Sequence, residues 1–161
     1  MRFMNSNLYK VIFVVGLLFC QANFAVAARA LPAGDLYFLA QKSFYQLMAA
    51  PEKKKFRHHW VKTIKMFSKV MNRYPKSNEA YRAEFTIGKL YEGLNAVSKN
   101  SKDLDRAAQH YNNVSEKYPF ANLSDDALFR IAEIYILKRK FASASTTFKE
   151  IFEKYPQGDQ A

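Results

Sequence analysis

Between Ser124 and Pro156 apolar residues recur at the three- and four-residue spacing of a helix face, pause at a basic turn, and resume. Leu128, Ile131, Ala132 and Tyr135 mark the first run, and Ala144, Phe148 and Ile151 the second, so the stretch is expected to form two antiparallel helices joined by a tight turn. Small Ala132 and Ala144 let the helix axes approach, while Tyr135 and Phe148 fill the space beside them. Ser124 with Asp125 and Asp126 reads as an N-cap with first-turn negative charge; Lys138, Arg139 and Lys140 suit the same helix's end, and Pro156 stops the second helix.

The pattern recurs. A shift of 44 residues brings Glu84, Ile87, Gly88 and Tyr91 onto the first helix, and a shift of 37 brings Ala107, Tyr111, Val114 and Tyr118-Pro119 onto the second. The seven-residue difference is expected as a polar loop around Asn95–Asp103. Further back, Phe67, Val70 and Tyr74-Pro75 repeat the second helix, with Thr63 in place of the alanine. A degenerate first helix capped by Asp35 is expected to run to about Ala50 with Tyr37, Ala40, Phe44 and Leu47 on one side; Pro51 ends it, Lys53 to Tyr74 is its partner, and Ser77 or Asn78 caps the next helix. The expected fold is all-α, a helical hairpin solenoid of about three repeats and six helices over residues 35–156, after a lead-in at 28–34. Residues 157–161 are expected to begin a truncated or uncapped next helix.

Leu128, Ile131, Ala132, Tyr135, Ala144, Phe148 and Pro156 fall where the tetratricopeptide repeat (TPR) carries its packing residues, and the chain resembles that family, with the opening aromatic and the glycine replaced. The resemblance implies that the first helix of each hairpin lines a concave side. On it, Arg82, Phe85, Lys89 and Glu92 in the middle hairpin and Asp126, Phe129, Glu133 and Ile136 in the last would face a partner-binding groove.

Arg2 and Lys10 flank the start of an apolar run, Val11 to Cys20, that is short for a membrane span, and Ala25-Val26-Ala27 offers a cleavage signal, so residues 1–27 read as a secretory signal peptide. An exported, periplasmic location follows as an expectation. Cys20 is the single cysteine, and Phe19 before it makes a poor lipoprotein box, so lipid anchoring at Cys20 is the weaker reading. Ordinary cleavage would leave no cysteine for disulfide or thiol chemistry. With 49% hydrophobic residues, 16% aromatic, five glycines and five prolines, the 161-residue chain has the material for one helical core.

The formal net charge is +11, concentrated early. Lys62, Lys65, Lys69 and Arg73 form a basic surface at helical spacing, opposite an apolar face of Phe56, Trp60, Ile64, Phe67 and Met71. Such a stripe is ordinarily a solvated face; as a binding surface it would suit anionic envelope polymers or head groups, and nucleic acid is not expected for an exported chain. No catalytic constellation, cofactor motif or phosphate-binding glycine loop is present, and His58, His59 and His110 do not fall on one face as a metal site needs.

The Tyr-Pro helix endings, the Ala-x3-Phe/Tyr spacing and the export signal are similar to exported bacterial TPR proteins of the BamD and CpoB type. The runs FRHHWVKTIKMFSKVMNRYPKSNEA, DLDRAAQHYNNVSEKYP and LSDDALFRIAEIY and the ending YPQGDQA more closely resemble the TPR region that precedes the catalytic domain in some N-acetylmuramoyl-L-alanine amidases, with Arg57, Trp60, Ile64 and Phe67 matching an R-x2-W-x3-I-x2-F run. The zinc ligands of that family have no counterpart in this chain, so hydrolase activity does not transfer. The expected function is a non-catalytic periplasmic scaffold that binds protein partners in cell-envelope maintenance. Alternatives are the targeting region of such an amidase or a lipoprotein subunit of an outer-membrane assembly complex.

Overall fold

The computed structural model describes residues 30–160; the expected leader over 1–27, with Cys20, lies outside the described residues. The unit from Pro32 onward carries helices α1 (Ala33–Met48), α2 (Pro51–Lys54), α3 (Arg57–Arg73), α4 (Asn78–Ser98), α5 (Ser101–Lys117), α6 (Ser124–Leu137) and α7 (Phe141–Lys154), with no strand among the described residues. Packing follows chain order: α1 lies on α3, α3 on α4, α4 on α5, α5 on α6 and α6 on α7, while α1 also touches α4. Hairpins α1/α3, α4/α5 and α6/α7 thus stack in series, the arrangement of a helical repeat array.

Two apolar clusters form the core. Ala40, Leu47, Trp60, Phe67, Ile87 and Leu94 join α1, α3 and α4, while Leu104, Tyr111, Val114, Leu128, Ile131 and Ile151 join α5, α6 and α7. Tyr91 packs against both. The second helix of every hairpin ends alike: Tyr74, Tyr118 and Tyr155 have φ of −133°, −132° and −130° with ψ of 57°, 54° and 57°, because the residue ahead of a proline is pushed out of the helical region. The Tyr118 hydroxyl donates to the Pro75 carbonyl (2.8 Å) and the Tyr155 hydroxyl to the Pro119 carbonyl (3.1 Å). The recurring Tyr-Pro pair therefore stops each helix and, in the second and third hairpins, also ties the hairpin to the one before.

Several local expectations are corrected. The seven extra residues of the middle hairpin are helix, not a loop: α4 has 21 residues against 14 in α6, and α5 has 17 against 14 in α7. Tertiary contacts carry the helix through this polar run. The Trp60 ring covers Gly93, where an added Cβ would lie 2.5 Å from Cζ3, and Leu94 is buried beside it. Lys99 then takes a left-handed conformation (φ 54°), and the Asn100 side chain caps α5 by accepting from the Lys102 N–H (3.1 Å).

The partner of α1 is likewise divided. The Trp60 indole N–H donates to the Lys54 carbonyl (2.8 Å), folding the short α2 back on α3, and Phe56 at the break is extended and exposed and so lies off the apolar face. Helix α1 begins at Ala33 after Pro32, placing Asp35 in the first turn instead of at the cap, and Pro51 opens α2. Ser77 stands at the cap position of α4 without a capping bond, and its hydroxyl is buried without a partner. Ser124 lies inside α6 because its hydroxyl donates to the Tyr118 carbonyl (2.6 Å). At the other end of α6, Arg139 takes a left-handed conformation (φ 58°), and its N–H and that of Lys140 reach the Ile136 and Tyr135 carbonyls (2.9 and 2.8 Å), a Schellman ending. Pro156–Gln160 turn with the same Gly158 N–H to Tyr155 carbonyl bond (2.9 Å) that Ala121 makes to Tyr118 ahead of α6 (2.9 Å).

Candidate functional site

The first helices of the middle and last hairpins, α4 and α6, meet through one guanidinium. Arg130 on α6 donates from Nε to Glu92 Oε1 on α4 (3.2 Å), from Nη2 to Glu92 Oε2, and from Nη1 to Glu133 Oε2 one turn along its own helix (2.6 Å). Burial works against the Arg130 charge, but hydrogen bonding and attraction from Glu92 outweigh it and hold the group firmly protonated. Beside this pair lies the buried Tyr111 hydroxyl, which has no hydrogen-bond partner and is pushed far up by burial and then by the Glu92 charge. Further along, Lys138 after α6 pairs with Asp105 on α5.

Next to the bridge a cleft of about 270 Å³ is lined by Glu92, Arg130, Glu133, Ile134, Ile136 and Leu137. Ile136 and Leu137 are 44% and 69% exposed, so two aliphatic side chains stand in solvent at the edge of a charged cluster. That combination offers an apolar seat bordered by carboxylates. An apolar patch with a polar rim is the anatomy of a protein-recognition surface.

Of the residues expected to face a groove, Glu92, Glu133 and Ile136 come together at this cleft. Lys89 is exposed on α4. Asp126 is half-buried at the start of α6 and accepts from Gln160 (3.3 Å); burial raises its pKa, as do Asp125 and Asp159, with Lys89 and Arg130 opposing. Arg82 is exposed further up α4, its guanidinium 5.8 Å from the Tyr81 ring centroid. Phe85 and Phe129 are half-buried and pack edge-on within their own hairpins, Phe85 on Tyr111 (5.1 Å) and Phe129 on Phe148 (5.7 Å). Both pairs obey the 44- and 37-residue shifts, so each phenylalanine gives one side of its ring to the core.

Arg130, Ile134 and Leu137 were not among the expected residues. Their place follows from how α6 stacks on α4, which the repeat pattern of either helix alone does not encode.

The basic residues Lys62, Lys65, Lys69 and Arg73 are all exposed on α3, but they divide. Lys69 and Arg73 line an open cleft with Leu36 and Asn72, while Lys62 faces a small pocket on the α2 side. The histidines also separate. The His58 and His59 rings approach to 4.0 Å, whereas His110 Nδ1 lies 3.0 Å from Glu84, a carboxylate buried between α4 and α5 that also accepts from Asn113 Nδ2 (2.6 Å). Among the described residues no three His, Cys, Asp or Glu side chains gather as a metal site would require, and no helix is long and apolar enough to cross a membrane.

A family model of the tetratricopeptide repeat matches residues 126–158, which is α6, α7 and the turn that follows. No curated protein and no solved structure gives a significant match to the chain. The last hairpin is a TPR repeat, and the all-helical stack before it has the same hairpin plan.

Proposed function

We propose that this chain is a non-catalytic, exported scaffold that holds a protein partner along the face formed by α1, α4 and α6, in the upkeep of the cell envelope. The TPR match supports protein interaction as the coarse function, and the leader pattern of residues 1–27 supports export. The observation that carries the reading is the cleft at the α4–α6 seam, where exposed Ile136 and Leu137 adjoin the Glu92–Arg130–Glu133 bridge. A helix or strand with an apolar anchor flanked by a cation fits it: the anchor covers the aliphatic pair and the cation meets Glu133.

Replacing both aliphatic residues (Ile136→Asp with Leu137→Asp) should lower partner capture from envelope extract at least tenfold and leave the circular dichroism of the helices unchanged, since both side chains are already in solvent. Undiminished capture would move the binding face elsewhere. The likeness to amidase TPR regions would make the same module a targeting arm. Arg57 and Asp103, one from each of two resembling runs, form a bidentate pair across the fold, so those runs act as one structural unit.

A further inference from the structure

Between α1, α2 and α3 lies a pocket of about 80 Å³ bordered by Ser43, Gln46, Leu47, Lys53, His59, Lys62 and Thr63. Water occupies about 30 Å³ per molecule in the liquid, so this space takes two or three waters or one tetrahedral oxyanion. Its border holds two ammonium groups, an imidazole, two hydroxyls and an amide, and no carboxylate. Neither Lys53 nor Lys62 has an ion-pair partner among the described residues. The nearest acid in sequence, Glu52, is taken by Lys55 (2.9 Å), and residues 53–78 contain no Asp or Glu.

The repeat itself shows that this chemistry is not required for packing. Thr63 occupies the position held by Ala107 and Ala144 in the other two hairpins, while the His59 position varies, being Asp103 in the second and Lys140 in the third. The Thr63 hydroxyl is nearly inaccessible, 3.0 Å from Ser43 Oγ and 3.2 Å from the His59 carbonyl oxygen. Because the single Thr63 proton goes to the His59 carbonyl, Ser43 donates to Thr63, and both hydroxyl protons are held within the protein. At Thr63 the first hairpin thus departs from the alanine that the other two share, and the departure lines this cationic cavity.

We propose that this pocket binds a phosphate group, free or as the terminal phosphate of a monoester. Lys53 and Lys62 supply charge from α2 and α3, and the Gln46 amide supplies a neutral donor. The surroundings of His59 agree: its pKa is lowered by desolvation and then by His58, Lys53 and Lys62, with only the uncharged Ser43, Gln46 and Leu47 lining the pocket from α1. An anion seated there opposes those cations and raises the value again. This site shares α1 with the protein-binding face proposed above, but none of its lining residues borders the cleft at the α4–α6 seam.

The test is a pH titration of the His59 ring by NMR on the full chain, with sodium phosphate or with sodium chloride at equal ionic strength. Phosphate should saturate and move the His59 midpoint upward, while chloride leaves it in place. Lys53→Ala with Lys62→Ala, both exposed positions, should weaken phosphate binding at least tenfold, and Lys65→Ala with Lys69→Ala should not. Flotation with phosphatidic acid vesicles, against phosphatidylcholine vesicles, separates the sources: capture that phosphate competes away assigns a lipid head group, and saturation by phosphate without vesicle capture assigns a soluble ligand. A His59 titration that phosphate does not alter in the unsubstituted chain, or binding that survives loss of both Lys53 and Lys62, overturns the proposal.

Discussion

Replacing Arg57 by alanine should cost about 2–3 kcal/mol of stability at neutral pH and almost none of it in strong acid. Arg57, the first residue of α3, donates both Nη groups to Asp103 of α5 at 2.7 Å each, and the Asp103 carboxylate is fully buried. Ser98 from the end of α4 and Arg106 complete its shell at 3.0 and 3.1 Å. Deleting one partner of a buried pair leaves a desolvated charge behind, which typically costs 3–5 kcal/mol. The expected loss is smaller here because Arg57 keeps 42% of its side-chain exposure and Arg106 and Ser98 remain.

The pH dependence fixes the sign. The hydrogen bonds from Arg57 lower the Asp103 pKa against the opposing effect of burial, with Ser98 and Arg106 adding to the lowering. A depressed folded-state value means the group stabilises the fold above the unfolded carboxylate value of about 4 and stops doing so as pH falls through the folded value. Urea unfolding of the Arg57→Ala variant and the unsubstituted protein should therefore differ most at pH 7 and converge as pH falls through the depressed Asp103 value. A gap that is absent at pH 7, or constant down into acid, would mean that the pair does not hold α3, α4 and α5 together.

Leucine at position 88 should lower stability by about 3 kcal/mol, and even alanine should be a net loss of about 1–2 kcal/mol despite its better helix propensity. A Cβ at this position would lie 2.6 Å from Tyr111 Cε1 and 2.7 Å from Cζ. Tyr111 has nowhere to go: it is fully buried, with Phe85 edge-on at 5.1 Å and the Glu92–Arg130 bridge beside its hydroxyl. The last hairpin has Ala132 and the half-buried Phe148 at the matching positions, so glycine is the counterpart of the larger, deeper ring. Tyr111→Phe should be nearly neutral, because the hydroxyl it removes has no hydrogen-bond partner. Thermal unfolding that shows Gly88→Ala to be stabilising would mean that the ring has room to shift and that close approach does not set the α4–α5 spacing.

The sequence was most legible where one helix predicts itself. Size alternation at Ala132, Tyr135, Ala144 and Phe148 and the three Tyr-Pro endings located the hairpins, because each records a short-range constraint. Asn95–Ser98 misled because polar residues mark a loop only when nothing packs against their helix; Trp60 over Gly93 and the Arg57–Asp103 clamp span 33 and 46 residues. Ser124 misled in the same way, its hydroxyl being drawn to a carbonyl of the preceding connection. The seam residues Arg130 and Leu137 depend on the register between stacked hairpins, which a repeat shift cannot supply. The eight expected groove positions all lie on the first helices of their hairpins, but Phe85 and Phe129 divide between surface and core because the same ring that reaches the groove edge also closes its own hairpin.

The claim that the α4–α6 face receives a partner is tested most directly by site-specific photocrosslinking in living cells. A photoreactive phenylalanine analogue would be placed at position 136 on the seam and, separately, at position 112 on the exposed side of α5. A discrete higher-mass adduct from position 136 and none from position 112 is the predicted result. Adducts from position 112 with none from position 136 would contradict it.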